Sequence, residues 1–449
     1  MFRQNLQRTG ETPDVVKPPL RLAWTYKTGA QVDSSPAVAD GLVFVGSLDS
    51  NLYALNAKTG AKNWSFKTGG EIYLSSPAVA DGIVYVGSYD NTVYALNAKT
   101  GAKIWGFTTG NAVPSSPAVS KGIVYIGSAD GNVYALNAKT GAKIWVFQPP
   151  PPMPSFPPGI FSSPAVVGDI VYVGTCDGNL YALDAATGAK IWSYNTGDQV
   201  CATPAVEGGI VYVTSFNQNL YALDAKTGTK VWTFKTGVTA TNSSPAIANG
   251  IVYVGGDNNV YALNAKTGAK IWSFTTGGPI SCSPAISGGV VYIGSIDSTL
   301  YALNAATGVQ IWSYKTGQPI ISCPAVADGY VYVGSDDEHV YAFRAPPFSI
   351  IPAQAIMRVV QGGSSAVNIT VSLTSGLPQP VQLAVSGLPN GATAAFSKNP
   401  VTPTATVTLN ITASYNTLAG RYYRLRISGT SGGIIETTTI SLWVDFAPE

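Results

Sequence analysis

A segment of about forty residues recurs eight times along this chain, marked by Ser, Thr or Cys followed by Pro-Ala at Pro36, Pro77, Pro117, Pro164, Pro204, Pro245, Pro284 and Pro324. The markers stand 39 to 41 residues apart with one exception. A unit this short cannot bury an apolar face alone and must stack on its neighbours. A fixed period in this range therefore belongs to a solenoid, a propeller or an array.

The interior of one repeat narrows the choice. From Ser116 to Phe147 the chain reads as a short Pro-Ala-Val strand, Lys121-Gly122, an Ile123-Val-Tyr-Ile strand, Ala129-Asp-Gly, a strand ending in Tyr134-Ala-Leu, the turn Asn137-Ala-Lys-Thr-Gly and a last strand around Ile144-Trp. That is four strands and no helix. The first connection is two residues of Gly, Asp, Asn or Lys in all eight copies, which suits a type I′ hairpin because both central residues need positive φ. The middle strands are apolar on both faces, so each sheet is expected to be covered on both sides. Proline marks the first strand as an edge, since it cannot donate to a ladder. Lysines at 62, 103, 143, 190, 230 and 270 blunt the other edge.

Closure is also written in the sequence. Seven repeats end in a Trp strand, at Trp64, Trp105, Trp145, Trp192, Trp232, Trp272 and Trp312, but the eighth runs from His339 into Pro346-Pro347 without one. The missing strand is found at the start of the chain, where Trp24 precedes Pro36 by 12 residues, as Trp105 precedes Pro117. The expectation is an all-β chain: an N-terminal extension over residues 1–20, then an eight-bladed β-propeller of four-stranded antiparallel blades over residues 21–345. Its N-terminal strand closes the last blade.

The repeated Ala54-Leu-Asn-Ala-Lys-Thr-Gly-Ala-Lys-Asn-Trp64 and Ala135-Leu-Asn-Ala-Lys-Thr-Gly-Ala-Lys-Ile-Trp145 resemble the tryptophan-docking motif of the pyrroloquinoline quinone repeat propellers. That family includes quinoprotein alcohol dehydrogenases and the propeller lipoprotein of the outer-membrane barrel-assembly machine. The resemblance spans residues 20 to 345 and implies that all eight Trp, including Trp24, pack on the neighbouring blade. The family's dehydrogenases also carry a ring of two adjacent cysteines beside the quinone, and no Cys-Cys dipeptide exists here.

After Pro347 the period ends. Strand-like runs such as Val367–Leu373, Val381–Val385, Ala405–Ile411, Tyr423–Ile427 and Thr438–Val444, separated by turn signals, read as an Ig-like β-sandwich over residues 348–449. A net charge of +2 gives no electrostatic reason to expect nucleic acid, and no apolar run is long enough for a transmembrane segment. The first ten residues lack the apolar core of a signal peptide and resemble the start of mature secreted members of the family. An extracellular or cell-surface protein is expected, with its export signal outside this sequence.

Candidate chemistry is sparse. Cys176 with Cys201, and Cys282 with Cys323, come from adjacent repeats; they read either as disulfides or as buried thiols at small-residue positions. Asp49, Asp90, Asp130, Asp177, Asp257, Asp297 and Asp337 recur with the period, which turn chemistry explains. Asp336-Asp-Glu-His339 concentrates acids as either a cation site or a solvated loop. The Pro-rich insertion at 148–159 suits a rigid extended segment across one face or a plain spacer. Asn63, Asn242, Asn368 and Asn410 begin glycosylation sequons. No catalytic, cofactor-binding or metal-ligating residue is nominated, and no cofactor is expected. The leading expectation is a non-enzymatic binding or structural protein whose partner is a protein, a cell-surface polymer such as glycan, or another copy of itself. The alternatives are a quinoprotein oxidoreductase and an envelope-assembly scaffold.

Overall fold

A computed structural model describes residues 5, 7–150, 159–237, 243–374, 378–432 and 434–448. The chain divides into two compact units, Met1–Arg344 and Ala345–Glu449.

In the first unit each repeat forms one antiparallel sheet of four strands in sequence order, for example Ala118–Ser120, Ile123–Gly127, Val133–Asn137 and Lys143–Phe147. There are eight such sheets among the described residues. Their three-residue first strands neighbour one another in succession, and that of the last sheet, Ala325–Ala327, neighbours that of the first, Ala37–Ala39. The sheets therefore stand as blades in a closed ring around a central channel. Arg21–Lys27 pairs antiparallel with His339–Arg344 as the outer strand of the last blade, where the circular offset puts it. In seven of the eight first hairpins both central residues have positive φ, as at Asn249 (51°) and Gly250 (72°); the eighth, Gly168-Asp169, has it only at Gly168 (60°).

Blades meet through the tryptophans. The indole N–H of Trp24, Trp64, Trp105, Trp145, Trp192, Trp232 and Trp272 donates to the carbonyl of Ala57, Ala98, Ala138, Ala185, Ala225, Ala265 and Ala305 respectively, each in the following blade. The glycine of each Thr-Gly turn lies against the same ring: a Cβ on Gly228 (φ 73°) would sit 2.6 Å from Trp192 Cε3. In six blades a tyrosine on the second strand donates to the same alanine carbonyl as the tryptophan, as Tyr85 does at Ala138 and Tyr332 at Ala57. Middle-strand Val, Ile, Leu and Tyr of adjacent sheets fill the space between blades.

Each outer strand carries a bulge one residue before its tryptophan, so that Ala135 faces Trp145 while Leu136 faces Lys143. The extra residue points outward. Ile104, Ile144, Ile191, Val231, Ile271 and Ile311 are 44 to 49% exposed for this reason, and Asn63 takes the same place in the first blade. A bulged edge is a poor template for another strand.

The N-terminal extension enters the ring. The channel-facing edge of the innermost strands is unpaired within each blade, and residues 7–16 occupy part of it. Val206, Ile247 and Ile286 donate their backbone N–H to the carbonyls of Gln7, Thr9 and Gly10, and Glu11–Thr12 pairs parallel with Ala285–Ser287. Arg8 is fully buried, its guanidinium donating to the carbonyls of Pro117 and Pro164 across the channel. The arm then replaces the turn that the last blade lacks: Trp312 Nε1 donates to Leu20 O and the Tyr292 hydroxyl to Val16 O.

The second unit is two four-stranded sheets over one core. One sheet runs Phe348–Pro352, Ser364–Leu373, Ala405–Ala413, Ala392–Phe396; the other runs Ile356–Val360, Ile434–Asp445, Arg421–Ser431, Gln382–Ser386. Ile356–Val360 pairs parallel with Ile434–Asp445, and the other pairs are antiparallel. Alternating residues from both sheets, among them Val367, Ile369, Leu409, Leu425 and Leu442, form the core, which makes the unit a β-sandwich.

Candidate functional site

The residue before each marker proline builds a belt around one mouth of the channel. Ser35, Ser76, Ser116, Ser163, Thr203, Ser244, Ser283 and Cys323 occupy these positions. Seven hydrogen bonds join them from blade to blade, each a backbone N–H donating to the next side chain's Oγ or Sγ, as Ser35 does to Ser76 and Cys323 to Ser35. One residue further along two of these strands stand the carbonyls that hold Arg8.

Above the belt the positions that vary between repeats converge. Three residues before the marker prolines lie Asp33, Leu74, Pro114, Phe161, Cys201, Ser281 and Ile321, and all of them line a cavity of about 390 Å³ with the belt itself. Tyr73, Tyr89, Gln199 and Phe216 complete its described wall. Tyr73 and Tyr89 meet edge to face with centroids 5.6 Å apart.

The acids of this mouth are Asp33 and Asp336. They approach each other from the first and last blades. Asp33 is only 7% exposed, and the Oδ1 atom of each carboxyl is buried without a hydrogen-bond partner. Burial, followed by the charge and hydrogen bond of Asp336, pushes the Asp33 carboxyl up to about 7. Burial also raises Asp336; its interaction with Asp33 opposes the rise and Asp337 adds to it. The pair thus holds one proton between two carboxyl groups into the neutral range. Burial raises the phenol of Tyr73, and both acids add to it; burial, then Tyr73 and Glu71, brings that of Tyr89 to about 12.

The periodic acids behave differently. In Asp49, Asp90, Asp130, Asp177, Asp297 and Asp337, Oδ1 accepts the backbone N–H two residues on and Oδ2 accepts the hydroxyl of the tyrosine four residues on. Asn217 stands in the corresponding place of the fifth blade and donates to Tyr221. These carboxylates are occupied by the turn they stabilise. In the 336–339 segment, Asp337 takes that turn role, Glu338 lies 3.3 Å from Lys27, and Asp336 alone turns to Asp33. Among the described residues no three His, Cys, Asp or Glu gather as a metal cluster.

The four cysteines are unbridged in this structure. Cys176 and Cys201 touch, Sγ to Sγ 3.8 Å, well beyond the ~2.05 Å of a covalent bond. The hydrogen bond from the Cys201 thiol pulls the Cys176 thiol down, while the same interaction and burial push Cys201 up. Cys282 and Cys323 each substitute for a serine. Cys282 Sγ accepts from Gly294 N, as Ser34 Oγ does from Gly46 N, whereas Cys323 belongs to the belt. Of the sequon residues, Asn63, Asn368 and Asn410 are exposed on strands, and Asn242 lies outside the described residues, as does most of the Pro-rich insertion, residues 151–158.

Four-stranded sheets in a closed ring, docked through tryptophans and enclosing a cavity at the channel mouth, define a repeat β-propeller. The chain belongs to the family described as outer membrane protein assembly factor BamB, whose sequence profile matches residues 20–75, 68–158, 154–278 and 256–346. Among solved structures, BamB from Moraxella catarrhalis is 20% identical, covering 73% of this chain and 100% of its own, with a TM-score of 0.62. A europium-containing methanol dehydrogenase is 16% identical over 77% of this chain and 97% of its own, with a TM-score of 0.66. The quinohemoprotein alcohol dehydrogenase from Comamonas testosteroni is 19% identical over 76% of this chain and 80% of its own, with a TM-score of 0.67. No curated protein sequence matches the chain.

Proposed function

We propose that this protein is a non-enzymatic, exported or cell-surface binding platform: a rigid propeller that docks a protein or surface polymer, with an Ig-like sandwich that spaces it or associates with further copies. The observation that carries this reading is how fully the repeat's polar groups are used internally. The periodic aspartates are held by turn amides and tyrosines, the indoles by the next blade's carbonyls, and Arg8 of the arm fills part of the channel. Membership of a family described as an assembly factor agrees with a platform in the cell envelope.

A quinoprotein oxidoreductase is the second reading, favoured by one observation: the buried Asp33–Asp336 pair beside a cavity at the channel mouth. Pyrroloquinoline quinone with calcium or a lanthanide separates the two. The platform reading expects neither a rise in melting temperature nor dye reduction with alcohols or sugars. Tight occupancy at a hundredfold excess over Kd would raise stability by about 2.7 kcal/mol, so a clear shift with dye reduction rejects it.

A further inference from the structure

We infer that the channel-mouth cavity is a binding site for a small organic ammonium ion, a protonated amine carried on an apolar or aromatic stem. The cavity, about 390 Å³, has room for such a molecule and its described wall carries no Lys, Arg or His. On one side lies Asp33, more than nine-tenths buried, and behind it the partly exposed Asp336; the Oδ1 atom of each has no hydrogen-bond partner. A buried carboxyl oxygen without a partner costs about 1–3 kcal/mol, and the cost is larger when the group is charged. An ammonium group seated in the cavity against the Asp33 carboxyl supplies three donors and the missing positive charge.

The remaining walls select among cations. Tyr73 lies near enough to both acids for their charges to raise its phenol, and it meets Tyr89 edge to face on the cavity wall. Phe161 and Phe216 add apolar surface. Aromatic faces attract organic ammonium ions through the ring quadrupole, and an apolar stem gains from their burial. A hard metal ion needs six or more oxygen ligands, and two carboxyl groups without a third acidic or imidazole ligand do not meet that need. A neutral sugar or alcohol leaves the negative charge of the pair uncompensated. The amine reading is independent of the platform proposal, because a platform and a dehydrogenase alike can carry this cavity.

The test uses the full chain and benzylamine, with benzyl alcohol as the uncharged analogue, titrated by calorimetry at pH 7. Benzylamine is expected to bind saturably at one site, and benzyl alcohol at least tenfold more weakly. Asp33→Asn mimics the protonated carboxyl and is expected to fold, while lowering benzylamine affinity tenfold or more. Tyr73→Leu leaves the acids in place and lowers affinity severalfold, which gives a second reading should Asp33→Asn melt early. Absence of saturable benzylamine binding overturns the inference, as does equal binding of the alcohol or undiminished binding by both variants.

Discussion

Asp33 couples the channel mouth to pH. Its folded pKa, about 7, lies above the ordinary carboxyl value of 3.8, because burial and then Asp336 disfavour the ionised form. Between these values the folded chain keeps a proton that the unfolded chain has released. Stability from this group is thus complete below about pH 4, falls as pH rises to 7, and is level above, with a limiting slope of about 1.4 kcal/mol per unit. Urea unfolding of Asp33→Asn across pH 4.5 to 7.5 should show this decline removed relative to the parent protein; an unchanged slope would refute the assignment. Cys176 and Cys201, already in contact, are expected to join under mild oxidation, whereas Cys282 and Cys323 stay alkylatable once the protein is unfolded. Peptide mapping without reductant checks this, and a bond between 282 and 323 would contradict it. These roles were only partly legible in the sequence. The turn role of the periodic aspartates follows from local chemistry, but their tyrosine partners and the meeting of Asp33 with Asp336 depend on side-chain direction and ring closure. A usable signal did exist: the positions that break the repeat just before the marker prolines are those that line the cavity.

At the scale of strands and turns, local rules carried most of the fold. Two-residue Gly, Asn and Asp connections favour type I′ hairpins, and seven of the eight have positive φ at both central residues. The bulge was hidden, because an isoleucine beside a tryptophan reads as core and only the pairing register reveals that it is the extra residue facing out. The docking glycines separate strain from contact. Gly228 and Gly209 both have positive φ, 73° and 79°, but a Cβ would strike Trp192 at Gly228 and meet nothing within 4 Å at Gly209. Gly209→Ala should cost about 1 kcal/mol from backbone conformation alone. Gly228→Ala should cost about 2 kcal/mol more, since the indole must also move off its turn and its bond to Ala225 O is weakened. Chemical denaturation of the two variants measures the difference. Equal losses would mean that the turn does not hold the tryptophan.

For the whole propeller, one outer strand closes the ring and an inner arm braces it. The outer closure by Arg21–Lys27 was legible because a missing tryptophan at one end and a surplus one at the other leave a single circular solution. The inner arm was not, because residues 1–20 have no period and residues 7–20 are held largely by backbone groups that any sequence offers. Those residues nevertheless run along six of the eight blades: Arg8 spans the third and fourth, Gln7 to Gly10 serve the fifth to seventh, and Asp14 Oδ2 accepts from Asp328 N in the eighth. Removing residues 1–20 while keeping the outer strand should therefore loosen the channel without opening the ring. Melting temperature is expected to fall, and to fall further when residues 21–29 are also removed and the apolar edge of the last blade loses its partner. Hydrogen exchange locates the effect, because the amides of Val206, Ile247 and Ile286 lose their acceptors on Gln7, Thr9 and Gly10. They should exchange much faster in the shorter deletion, while the amides of Ala118 and Ser120, whose ladder bonds lie within their own blade, keep their protection. If those three amides remain as slow as in the full chain, the arm is a passenger in the channel and the outer strand alone secures the ring.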